Sequence, residues 1–220
     1  MKVLIFGVGE LAELIHFYLA ESDEWDVVGF AADESFLPSS GSVANLPALS
    51  IEDAITRFPP IENQAFVAVS AGGLNHQRET LCARVLGAGY ELISYVHPSA
   101  TVASNVEIGQ NSFIFEDNTL QPFTKVGNRC ILWSGNHIGH RSVIEDDVFI
   151  TSHVVVSGFC TIGRYSYLGV NSSVADNVNV AESTVLGAGA LLLDDNEAGG
   201  VYVGSPAKRL PNRESIDVQF

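Results

Sequence analysis

Residues 137–162 read HIGHRSVIEDDVFITSHVVVSGFCTI, and every sixth residue of the stretch, Ile138, Ile144, Ile150, Val156 and Ile162, is aliphatic. The register extends both ways. Stepping by six from Val102 to Leu192 visits sixteen positions, and each is Val, Ile or Leu. With roughly a quarter to a third of random positions aliphatic, such a run is not a chance outcome. The fourth residue after each aliphatic is small or β-branched, as at Ser112, Asn118, Thr124, Cys130, Ser142, Cys160 and Ser166. Gly follows the aliphatic at 109, 127, 139, 163, 169 and 187. A period of six is neither helical nor a simple strand alternation. It fits a solenoid of three short flat faces, with the aliphatic residue inside, the small residue easing each corner and glycine giving the backbone freedom to turn. Such a run makes about five coils, a prism roughly 25 Å tall at strand spacing. Cys130 and Cys160 fall on the small position and read as packing residues.

The 220 residues carry 26 acidic against 11 basic side chains, a formal charge of −15. A chain this acidic is repelled by phosphate backbones and anionic lipid surfaces, so neither a nucleic-acid nor a membrane partner is expected. A single anionic ligand stays open, because backbone N–H groups hold anions without net positive charge. Apolar residues make up 46% of the chain and charged ones 17%, which excludes a disordered acidic polymer. The start MKVLIF has neither a basic n-region nor a cleavage site, and no 18-residue apolar run follows. Three cysteines, Cys82, Cys130 and Cys160, show no CxxC spacing. The expectation is a cytoplasmic protein.

Before the repeat, Lys2–Phe6 reads as a buried strand running into Gly7-Val8-Gly9-Glu10-Leu11-Ala12, after which Leu11, Leu14, Ile15, Tyr18 and Leu19 recur at helical spacing. A second strand, Trp25 to Ala32, ends at Asp33. This is a GxGxxA turn between strand and helix with an acid about twenty residues on, the arrangement that holds a nucleotide. The glycines would admit a ligand close to the backbone, Asp33 would accept from a ribose or a base, and Gly7 could equally serve the turn alone. Glu10 opposes a phosphate while favouring the helix dipole. Ile51 to Arg57 and Gln77 to Leu86 read as helices, Ala65 to Ser70 and Leu92 to Tyr95 as strands. The alternation implies a small parallel sheet, too short for a six-strand dinucleotide fold. The expected fold class is α/β plus all-β, with a Rossmann-like sheet domain over 1–97, a parallel β-helix over 98–195 and a C-terminal tail over 196–220.

The hexad register resembles the left-handed β-helix of hexapeptide-repeat transferases, which implies acyl transfer from acyl-CoA and a homotrimer with active sites between prisms. For such a reaction the attacking amine must shed a proton, and histidine is the natural acceptor at neutral pH. His140 stands two residues after the inward Ile138, hence on the coil's surface, and is the candidate base. There is no GxSxG turn and no cysteine with reactive context, so direct attack is the simpler route. His16 reads as structural or exposed, His76 is left open beside Gly72-Gly73, and His97 before Pro98 reads as architectural.

The chain as a whole resembles the bacterial nucleotide-sugar acetyltransferases of this fold, the bacillosamine and perosamine N-acetyltransferases and the sialic-acid O-acetyltransferases. The resemblance rests on GVGELAEL at 7–14, SYVHPSA at 94–100, the coil, and VYVGSPAKRL at 201–210. It implies acetyl-CoA as co-substrate with no metal required, and a nucleotide-sugar acceptor. It places the base at His140, substrate binding at Gly9, Glu10, Leu11, Ala12 and Asp33, and a thioester-facing backbone N–H at Gly158. CoA-contacting positions fall at Val170 and Ala188, with the basic Lys208-Arg209 at the nucleotide end. Two positions depart from the pattern. The acid that follows the base is here Arg141, so Glu145 or Asp146 takes the orienting role or nothing does. A CoA-contacting histidine is here Phe149, with His153 four residues on. N-acetylation of an amino sugar is preferred to O-acetylation or transfer of another acyl group.

Three other readings compete. A zinc hydratase of the β-helix class would use His137, His140 and His153. A nicotinamide oxidoreductase would rest on the GxGxxA turn alone, and a sugar-nucleotide sensor would need no base at all.

Overall fold

The computed structural model describes residues 1–219, which divide into two compact units. The first comprises Met1–Ser70 and Gln77–Ile93. Its strands are β1 (Lys2–Phe6), β2 (Asp26–Ala32), β3 (Ser42–Val43), β4 (Leu46–Ser50) and β5 (Gln64–Val67). They form one sheet in the order β3-β4-β2-β1-β5. All neighbours run parallel except the β3–β4 hairpin. Crossovers are made by α1 (Glu10–Ala20), α2 (Ile51–Arg57) and α3 (His76–Gly87). Leu4, Phe6, Ala31, Ala65 and Val67 lie on one sheet face with Ile51, Ala54, Cys82 and Val85 of the helices. The alternate residues Val3 and Ile5, also fully buried, turn to the other face. The β3–β4 hairpin was not anticipated: its turn is Ala44-Asn45, both at positive φ, where the usual sequence signal is Asn-Gly. The expected strand at Leu92 to Tyr95 is only a single bridge, Ala65 to Leu92, and Tyr95 belongs to the other unit.

The second unit, Ala71–His76 with Ser94–Phe220, is a left-handed parallel β-helix. Two-residue strands stack in three sheets, and each strand pairs with the one eighteen residues on, as Thr119 with His137 and His137 with Val155. The second residue of each strand is the aliphatic of the hexad. Ile114, Leu132, Ile138, Ile150, Val156, Ile162, Leu168 and Leu186 are fully buried in one continuous core. The first rung is Tyr95–Val96, which pairs with Phe113–Ile114, so the coil starts ahead of the expected 97/98 junction. Within the expected C-terminal tail, Gly200–Val203 joins the sheet beside Val185–Leu186, and Lys208–Glu214 returns antiparallel to it.

Two features of the corners correct the expectation about glycine. From Asn111 to Gly189 every sixth residue has a positive φ, and all but Gly135 and Gly189 carry a side chain. Backbone freedom is therefore needed three residues after the aliphatic, where Asn, Asp, Phe, Arg, His and Tyr supply it. The glycines directly after the aliphatic answer a different constraint. A Cβ on Gly109 would stand 2.6 Å from Asn128 N, and one on Gly163 2.6 Å from Glu182 N, because the next coil's backbone passes there. Small polar corner residues tie the coils together. Ser142 Oγ donates to Ser157 O at 2.8 Å and accepts from Cys160 N–H at 3.0 Å, and Ser112 does the same for Gly127 O and Cys130 N–H. Cys130 and Cys160 are buried among these contacts, and burial pushes the Cys160 thiol up.

Among the described residues no helix is long and apolar enough to cross a membrane.

Candidate active site

His140 lies on the corner that follows the strand His137–Ile138, exposed as its register required. Its environment comes from the coils on either side. From below, Gln121 Oε1 accepts the His140 backbone N–H at 2.9 Å and faces Nδ1 at 3.3 Å. An atom that accepts a backbone N–H must be the carboxamide oxygen, so in the neutral imidazole the proton belongs on the Nδ1 facing it and the lone pair on Nε2. From above, Phe159 meets the imidazole edge to face, centroids 4.9 Å apart at 79°. Gly158 makes room for the ring: a Cβ there would stand 2.7 Å from His140 Cε1.

The orienting group is thus Gln121, an amide one coil below, and neither of the acids Glu145 and Asp146. Glu145 accepts Arg164 N–H, and Asp146 is bonded to Asn128 and Arg129. Burial works against the Asp146 anion, but the hydrogen bonds of Asn128 and the charges of Arg129 and Arg164 outweigh it and hold the carboxyl low. Nearby, fully buried Asp147 takes the guanidinium of Arg129 at 2.7 Å and that of Arg164 at 3.2 Å, a network the sequence reading did not find.

The Gly158 N–H is engaged. It donates to Asp176 Oδ1 at 2.9 Å, eighteen residues on at the same corner. Val170 and Ala188 share another corner, one coil apart, and both are exposed. His153 is exposed at that edge at a φ of 59°, its ring beside Gly135. Phe149, the other expected CoA position, is only 6% exposed and stacks on Tyr167 at 5.5 Å. Lys208 and Arg209 open the last strand. Arg209 is held by Glu197 at 2.9 Å and Glu214 at 3.1 Å, so of the expected basic pair only Lys208 has no ion pair among the described residues.

In the first unit Gly9 is the N-cap of α1, and a Cβ there would meet nothing within 4 Å. Leu11 and Ala12 are core residues, so only their backbone can meet a ligand. Ala12 N–H already bonds Gly9 O, which leaves the amides of Glu10 and Leu11 as donors the helix does not use. Gly7, at a φ of 134°, packs where a Cβ would run into Ala68, which gives it a role in the sheet itself. Arg84 grips both Asp33 oxygens, at 3.1 and 2.9 Å. That hydrogen bond, ahead of the charge itself, holds the Asp33 carboxyl below its ordinary range. Each oxygen keeps a lone pair for a further donor.

The remaining histidines have local partners. His16 lies against Phe30, its imidazolium disfavoured by burial; His76 meets Tyr165 at a tilt of 32° with centroids 3.9 Å apart; His97 Nδ1 bonds Ser99. Among the described residues no three or more His, Cys, Asp or Glu side chains converge to hold a metal ion, His137, His140 and His153 included.

No protein-family model matches the chain. Solved structures do. PerB from Caulobacter crescentus, in complex with CoA and GDP-perosamine, superposes with a TM-score of 0.85 at 22% identity, over 96% of this chain and 97% of that one. The acetyltransferase domain of PglB from Neisseria gonorrhoeae, in complex with acetyl coenzyme A, gives 0.84 at 23% over 95% and 98%. WeeI from Acinetobacter baumannii gives 0.82 at 19% over 96% and 100%. The chain has the fold of these proteins along almost its whole length.

Proposed function

We propose that the protein is an acetyl-CoA-dependent N-acetyltransferase acting on the amine of a nucleotide-linked amino sugar. The observation that carries this reading is the shared oxygen of Gln121, which commits the Nδ1 proton of His140 and leaves Nε2 able to take one. The amine lone pair attacks the thioester carbonyl while Nε2 receives the amine proton. The C–S bond then breaks, and the departing sulfur takes the proton back to leave as the thiol. His140 does not become covalently attached at any point. Gly158 N–H is the donor proposed for the carbonyl oxygen, where an aligned N–H stabilises the developing negative charge. It can act only if Asp176 yields it. CoA is assigned to the edge bearing His153, Val170 and Ala188, with Lys208 toward its phosphates. The nucleotide is assigned to Gly9, Glu10 and Leu11 amides and to Asp33.

Support comes from the fold shared with PerB, solved with CoA and GDP-perosamine, and with a PglB domain solved with acetyl coenzyme A. A PerB-type perosamine N-acetyltransferase was also solved with one histidine changed to asparagine. We further propose a cytoplasmic homotrimer, in which the exposed corners carrying His140 and Val170 on different subunits face one another. The test is a panel of UDP-, dTDP- and GDP-linked amino sugars with acetyl-CoA, followed by thiol release. Release with at least one amine acceptor, and acetamide in the product, is expected. Release only with hydroxyl acceptors would replace N- by O-acetylation, and stoichiometric zinc in active protein would point to a different chemistry.

A further inference from the structure

Four arginines of this chain grip carboxylates among the described residues. Arg84 grips Asp33, Arg129 and Arg164 grip Asp147, and Arg209 grips Glu197 and Glu214. Arg141, the residue after His140, has no carboxylate partner among the described residues, a position it shares with Arg57, which lies 5.3 Å from the Phe58 ring centroid in the first unit and not at the His140 corner. The Arg141 guanidinium lies 4.4 Å from the centroid of the Phe123 ring.

Phe123, Arg141 and Phe159 occupy the same corner on three successive coils, all at left-handed φ, 67°, 58° and 57°. Asn177 continues the column, and Asn111 and Asn171 hold the equivalent left-handed position at the other two corners. The backbone there is thus satisfied by a residue that suits positive φ, and bulky side chains stand at it against their own preference. The two phenyl rings are nevertheless half exposed, 52% and 49%. Phe159 also touches the His140 ring edge to face. A guanidinium braced on an aromatic face keeps the edge of its planar fork available, and that fork matches a carboxylate through two parallel N–H···O bonds.

We propose that Arg141 binds a carboxylate of the acceptor, making the substrate a nucleotide-linked amino-sugar acid and not a neutral amino sugar. The inference rests on His140 acting as the base. The substrate then supplies the negative charge that the chain itself does not place at residue 141.

The experiment compares matched acceptors that differ only in carboxylate against hydroxymethyl on the sugar ring, with wild type, Arg141→Met and Arg141→Lys. Wild type is expected to favour the acid. Arg141→Met should cut the acid-to-neutral ratio of kcat/KM by about 10- to 100-fold, the loss expected for a charged hydrogen-bond pair, mainly through acceptor KM. Arg141→Lys should recover part of the ratio. Calorimetric binding of the two acceptors, without acetyl-CoA, reads the same preference independently of turnover. A preference in binding with no thiol release would therefore sink the transferase reading and leave the carboxylate site standing. Equal losses for both acceptors, no preference of the wild type in turnover or binding, or a rise in acetyl-CoA KM larger than that for the acceptor would overturn it. The last outcome would assign Arg141 to a CoA phosphate.

Discussion

One oxygen joins Gln121 to His140: it accepts the backbone N–H at 2.9 Å and meets Nδ1 at 3.3 Å. Both the tautomer and the ring orientation follow from that single acceptor. Replacing Gln121 by Leu should lower kcat about tenfold with acetyl-CoA KM nearly unchanged, because the base is present but no longer held. Gln121→Glu keeps the acceptor and adds a charge that favours imidazolium, so the acid limb of the kcat profile should move to higher pH. An unshifted profile in Gln121→Glu would show that this contact does not govern the base.

Gly158 is constrained from two sides, by the imidazole beside it and by Asp176 on its N–H. Gly158→Ala should reduce kcat about 100-fold in a folded protein, since the new methyl displaces the ring. Asp176→Ala releases the N–H, and kcat/KM for acetyl-CoA should hold or rise. A large fall in Asp176→Ala would mean that the carboxylate, and not the amide, serves the reaction.

The basic end of the chain separates into two roles. Lys208→Ala should raise acetyl-CoA KM several-fold, as expected for loss of one exposed phosphate contact, with kcat little changed. Arg209→Ala should instead lower Tm slightly, because its partners are Glu197 and Glu214 within the same terminal segment. The opposite assignment of effects in steady-state kinetics and thermal melts would reverse the two roles.

The two kinds of corner position should respond oppositely to small changes. Gly163→Ala pushes a methyl into the backbone of the next coil and should cost about 1–3 kcal/mol by chemical denaturation. Asn177→Gly, at a left-handed corner with an exposed side chain, should stay within about 0.5 kcal/mol of wild type. Similar costs at the two sites would contradict the distinction between close approach and backbone freedom.

Asp33 is kept anionic by Arg84, so its carboxyl carbon should titrate by NMR below the ordinary carboxylate range. Because the folded pKa is depressed, the pair's contribution to stability is present above the unfolded pKa and fades as pH falls through the folded one. Arg84→Met should bring the midpoint back toward the ordinary range. A midpoint that does not move would remove Arg84 as the cause.

How much of this was legible depended on whether side-chain chemistry repeats along the chain. The coil was readable because its inward residues must all be aliphatic, and no other architecture demands Val, Ile or Leu at every sixth place. The left-handed corners were not, because Phe123, Arg141, Asp147, His153 and Asn171 share a backbone angle and no chemistry. His140 could be placed on the surface from register alone. Gln121 could not be found from local sequence, yet it lies nineteen residues back, one coil down, where the eighteen-residue pairing of the strands would point. The burial of Phe149 was not legible either: its hexad position says only that it faces outward from the coil, not that Tyr167 covers it. Asp147 and its two arginines depend on three separate coils meeting at one corner, which a linear reading does not bring together.

The central claim is that His140 Nε2 takes the amine proton during acetyl transfer. The most direct measurement is thiol release from acetyl-CoA by wild type and His140→Ala, with the best amino-sugar nucleotide of the panel and with acceptor binding checked by calorimetry. The account predicts that kcat falls by about 10²- to 10⁴-fold in His140→Ala while the acceptor still binds. Turnover within a few-fold of wild type would contradict it.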